Sequence, residues 1–86
     1  MPEISRFFGI VIRMYFNDHQ PPHFHAEYGN HEGIFNIVDL NMLEGNLPRR
    51  VKALVLEWAF ENRFRLMQNW EQMQKSEAPQ KILPLE

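Results

Sequence analysis

His23-Phe24-His25-Ala26-Glu27-Tyr28 decides how this chain folds. Polar and apolar residues alternate through it, and side chains two apart on a strand share a face. His23, His25 and Glu27 therefore point one way, and Phe24, Ala26 and Tyr28 the other. The same six residues thus give a strand with one core-facing side and a polar row that holds two imidazoles and a carboxylate.

The preceding segment supplies a partner strand. Residues 7–16 read Phe-Phe-Gly-Ile-Val-Ile-Arg-Met-Tyr-Phe, a β-branched and aromatic run that predicts one strand. Phe8, Ile10, Ile12, Met14 and Phe16 make an apolar face, while Arg13 and Tyr15 lie on the other. Asn17 to Pro22 reads as a loop, in which Pro21 or Pro22 could follow a cis bond. Aligning the apolar faces sets Phe16 opposite Phe24, Met14 opposite Ala26 and Ile12 opposite Tyr28. Arg13 then faces Glu27, and Tyr15 faces His25. Gly29 to Gly33 reads as a turn before a third strand at 34–38, so an antiparallel meander follows.

Residues 41–47 read as a connector, and Pro48 marks a helix start. The helix is expected over about 48–75, with Val51, Leu54, Val55, Trp58, Asn62, Leu66 and Met73 recurring at helical spacing as its core stripe. A second apolar row, Leu56, Phe60, Phe64 and Met67, lies on the opposite side, beyond the reach of one sheet. It predicts an interface with a partner or a second copy. Ile82, Leu83 and Leu85, in a tail (76–86) that reads as extended or as a short edge strand, are the alternative cover. The fold class is α+β: three or four antiparallel strands packed against one long C-terminal helix.

Eighty-six residues make one domain, 1–86. The absence of cysteine excludes disulfides and thiolate metal sites. No run has the length to span a membrane or the pattern of a signal peptide, so a cytoplasmic protein is expected. A net charge of −2 and a pI near 6.1 lack the basic footprint of a nucleic-acid binder.

The histidine row supports two chemistries. His-x-His on a strand places two imidazoles on one face, so His23 and His25 are candidate ligands for a divalent metal, with His19 or Glu27 able to add a third. No other cofactor is expected. Alternatively, His19, His23 and His25 are candidate acid–base groups, with Arg13 steadying a phosphate, as RNA cleavage without metal requires. Tyr15 and Glu27 complete the candidate binding surface. Arg49 and Arg50, in the first helical turn, suit either an anion contact or pairing with Glu3, Asp39 or Glu44.

Several stretches together resemble the family called domain of unknown function 4160. They are residues 1–12, Asp18-His19 with Pro21-Pro22-His23-Phe24-His25-Ala26-Glu27-Tyr28, Glu44-Gly45 with Leu47-Pro48-Arg49-Arg50, and Glu57-Trp58-Ala59. The resemblance spans nearly the whole chain, and the Pro-Pro-His-Phe-His block is its specific part. It implies a small bacterial or archaeal protein, many of whose relatives are encoded beside another small domain in a toxin–antitoxin-like arrangement. It carries over no catalytic residues. The expected function is an interaction module of such a gene pair, binding the adjacent gene's product or a second copy. An RNA-cleaving toxin and a small metal-binding protein are the alternatives.

Overall fold

The computed structural model describes residues 2–86. Five strands, β1 (Glu3–Phe7), β2 (Ile10–Arg13), β3 (His23–Tyr28), β4 (His31–Asn36) and β5 (Met42–Asn46), precede two helices, α1 (Arg49–Glu61) and α2 (Arg63–Gln74). The strands form one antiparallel sheet in the order β1-β2-β3-β4-β5. Ile4, Ile10, Ile12, Phe24, Ala26 and Phe35 pack with Val55, Trp58, Leu66 and Met73 into the core between sheet and helices. No helix among the described residues is long and apolar enough to cross a membrane.

This α+β architecture has more elements than the sequence predicts. The single strand expected at 7–16 is a hairpin. Phe8 and Gly9 both take positive φ, 51° and 79°, and turn the chain between β1 and β2. Two such residues match the twist of the flanking strands, but phenylalanine gives no turn signal at that place. The expected connector at 41–47 contains β5, whose Gly45 lies opposite Gly33. A Cβ on Gly45, at φ 97°, would collide with the Glu32 carbonyl oxygen. The third strand starts three residues earlier than expected, at His31, because Gly29-Asn30 alone makes the turn. The helix is interrupted at Asn62 (φ −122°, ψ 19°), whose Nδ2 donates to the Trp58 carbonyl at 2.8 Å. A side chain bonded to that carbonyl competes with the helical ladder.

The register between β2 and β3 is two residues from the expected one. Ile10 pairs with Tyr28, Ile12 with Ala26 and Arg13 with His25. A shift of two keeps Ile10, Ile12 and Met14 on the expected core face. Phe8 and Phe16, expected on that face, are 60% and 44% exposed, because Phe8 lies in the turn before β2 and Phe16 beyond the end of β2. The tail forms no strand, although the Ile82 N–H donates to the Ile4 carbonyl at 3.0 Å along the β1 edge. Asn69 holds Gln80 through two hydrogen bonds, and Trp58 Nε1 donates to the Leu83 carbonyl at 2.9 Å. The tail thus covers the β1 side. Phe60 and Phe64, in the second apolar row, stay 68% and 81% exposed, whereas Leu56 and Met67 are half-buried against the core.

Candidate functional site

The polar cluster forms where the β2–β3 loop returns to the sheet. Asn17, at φ 52°, turns the chain, and its N–H donates to the Met73 carbonyl at 3.3 Å. Gln74 Nε2 donates to the Asp18 carbonyl at 2.9 Å. These bonds tie the loop to the end of α2 and place the Asp18 carboxylate against the start of β3. The Gln20–Pro21 bond is cis.

Asp18 Oδ2 lies 2.9 Å from His23 Nε2 and 3.6 Å from His25 Nε2. Oxygens also hold the other nitrogens of both rings. His23 Nδ1 lies 2.6 Å from the Pro21 carbonyl oxygen, and His25 Nδ1 lies 3.1 Å from Glu32 Oε2. A carbonyl oxygen can only accept, so His23 Nδ1 carries a proton. Its Nε2 then either donates a second proton to Asp18, as imidazolium, or turns a lone pair toward a cation shared with Asp18. His23 is 3% exposed and packs on Trp70 of α2, ring centroids 5.2 Å apart. His25 Nε2 is buried and has no hydrogen-bond partner among the described residues. One donor atom from each of Asp18, His23 and His25 falls within 4.8 Å of the others, the spacing of a metal-ligand set.

Around this centre, Tyr15 sets its ring edge-on to His25, centroids 4.6 Å apart, and Arg13 Nε lies 3.1 Å from Glu27 Oε1. Both expected pairs therefore form, diagonally rather than directly opposite. Burial pushes the Tyr15 hydroxyl above its usual range, and the charges of Glu27, Glu32 and Asp18 add to this while Arg13 opposes it. Burial also pushes the Asp18 carboxyl up. The His19 backbone N–H and the charge and hydrogen bond of His23 outweigh it, and hold Asp18 below the ordinary carboxylate range.

The structure brings Arg13, Tyr15, His23, His25 and Glu27 together and adds two groups that sequence reasoning passed over as site residues. Asp18 is in the quoted motif, but loop residues have no periodicity to say where they point. Glu32 stood in an expected turn. His19 is 82% exposed at the rim, with Nδ1 3.1 Å from Asp18 Oδ1. Arg49 and Arg50 are exposed and do not join the cluster. Arg50 lines a cleft with Phe8, Tyr28, Val51 and Leu54. It sits near the Tyr28 end of β3, five residues and roughly 17 Å of strand from His23.

No curated protein and no solved structure matches the chain significantly. A family model does match, over residues 9–71, a span that includes the whole histidine cluster. The chain therefore belongs to the family described as Domain of unknown function (DUF4160).

Proposed function

We propose that this chain is a small divalent-metal-binding protein whose centre is Asp18, His23 and His25. The observation that carries the proposal is the convergence of Asp18 Oδ2 with the two Nε2 atoms while both Nδ1 atoms are held by oxygen acceptors. An outer hydrogen bond of that kind fixes the tautomer and the aim of a ligating imidazole. One carboxylate and two imidazoles suit zinc and its borderline neighbours better than magnesium or calcium, which favour oxygen-rich sets. Isothermal titration of chelator-treated protein with Zn²⁺ tests the reading. One site per chain is expected, lost in Asp18→Ala and His25→Ala. Protein that takes up no Zn²⁺, Co²⁺ or Ni²⁺ at neutral pH would exclude it.

Acid–base cleavage of RNA draws less support. His23 has both ring nitrogens engaged and almost no solvent access, and three carboxylates, Asp18, Glu27 and Glu32, gather beside the histidines. That surface repels a phosphodiester unless a cation neutralises it.

A second reading concerns partners. The exposure of Phe60 and Phe64 supports an interaction module that binds the product of an adjacent gene or a second copy. Co-expression with that gene tests it, and failure of the two chains to co-purify, together with a strictly monomeric chain, would remove it.

A further inference from the structure

Resting on the metal-binding reading, we propose that His19 is a fourth protein ligand. The centre then closes as Asp18/His19/His23/His25 instead of keeping a position for substrate. The three converging donors sit on side chains that are largely shielded from solvent. Their side chains are 17%, 3% and 14% exposed, and solvent does not reach the His25 Nε2 atom. A catalytic metal needs an exchangeable position that faces its substrate. Here the flank beside Asp18 Oδ1 and the His23 ring is the one that His19 occupies. Its ring centroid is 5.2 Å from that of His23, and its Nδ1 is 3.1 Å from Asp18 Oδ1.

His19 is also placed to move without disturbing the fold. Its backbone N–H donates to Asp18 Oδ1 at 2.9 Å, and the carbonyl before it is fixed by Gln74 of α2, so the main chain at this point is tethered. The imidazole itself projects into solvent. Rotation about its side-chain bonds exchanges a contact with Asp18 for a bond to the ion that Asp18 holds. Four donors, three neutral imidazoles and one carboxylate, fill a tetrahedral zinc shell. The closed shell assigns the ion a holding role, in which it fastens the β2–β3 loop to β3 or is carried by the protein, and removes a metal-bound water from the chemistry.

Cobalt(II) tests this assignment, because its visible absorption is several-fold stronger in four-coordinate than in five- or six-coordinate sites. The wild-type protein with Co²⁺ is expected to show the strong four-coordinate bands. His19→Ala, which alters only an exposed side chain, is expected to keep its fold by circular dichroism. It should bind Co²⁺ more weakly, by about the 10- to 100-fold that loss of even an outer-shell partner causes. Its bands should fall to the weaker pattern, and added free imidazole should restore them. If His19→Ala matches wild type in spectrum and affinity, His19 is not a ligand, while the three-residue centre stands. If wild-type protein binds no Co²⁺, the centre itself falls, and the fourth ligand with it.

Discussion

Asp18 and His23 form a part-buried contact of 2.9 Å, Oδ2 to Nε2, that joins the β2–β3 loop to the first residue of β3. The Pro21 carbonyl lies 2.6 Å from the other nitrogen of the same ring, so His23 is held between two oxygens. The Asp18 carboxyl is held below the ordinary range, so the folded state binds its proton less readily than the unfolded chain does. Such a group contributes stability at pH values above its unfolded pKa, and the contribution is lost as pH falls through the folded pKa. Metal-free wild type should therefore be more stable than Asp18→Asn at pH 7, with the gap narrowing below about pH 4. Urea midpoints of the two proteins at pH 7 and pH 3 check this. An equal gap at both pH values would mean that the Asp18 charge contributes nothing to the contact.

Metal binding changes stability by mass action. An ion that binds only the folded chain, at a free concentration 100 times its dissociation constant, adds about 2.7 kcal/mol. For a domain of this size each kcal/mol raises Tm by roughly 4–8 °C. Saturating Zn²⁺ should thus raise Tm by more than roughly 10 °C, with reversal by chelator and no response in His25→Ala. A melting curve that ignores Zn²⁺ would contradict a folded-state site.

The site was more legible in the sequence than the fold around it. Alternation alone put His23, His25 and Glu27 on one side of β3 and Phe24 and Ala26 on the other. The two-residue register error kept the residues of β2 and β3 on their sides, but Phe8 and Phe16, which flank β2 and were expected on the apolar face, are exposed. Arg13 still reaches Glu27, and Tyr15 still reaches His25, because long side chains span the diagonal between neighbouring strands. What failed was punctuation. Phe8 hides a hairpin because few large residues adopt positive φ, and β5 hides in Met-Leu-Glu-Gly-Asn, which has no alternation. Asn62 interrupts the helix through a side-chain bond that periodicity does not reveal. Asp18 was missed as a ligand because the path of its loop is set by bonds to α2, more than fifty residues away in sequence.

The paired glycines of β4 and β5 should respond differently to a methyl group. At Gly33 an added Cβ would lie 2.9 Å from Leu47 Cδ1 and 3.0 Å from Met42 Sδ, atoms at the ends of side chains that can shift. Gly33→Ala should cost about 1–3 kcal/mol, the usual range for overpacking. At Gly45 the obstacle is the Glu32 main-chain carbonyl, and the positive φ adds strain. Gly45→Ala should therefore be the more damaging change, reducing pairing at the β5 edge. Denaturant midpoints of both variants check the order. The reverse order would mean that β5 is less firmly paired than its register implies.

Phe60 and Phe64 separate association from stability. Exposed side chains contribute little to folding, so Phe64→Ser should change stability by no more than about 0.5 kcal/mol. Phe60 has the Arg63 guanidinium 5.6 Å from its ring centroid. An exposed contact of that kind is worth about 0.5–1 kcal/mol, so Phe60→Ser should cost no more than that. Leu56 and Met67, in the same row, pack against the core and should cost more when truncated to alanine. If the row is a docking surface, Phe60→Ser and Phe64→Ser abolish co-purification with the partner or convert a dimer to monomers, at nearly unchanged denaturant midpoints. Light scattering and unfolding curves on the same samples give both readouts. Association that survives the double variant would mean that the exposed aromatics lie outside the interface.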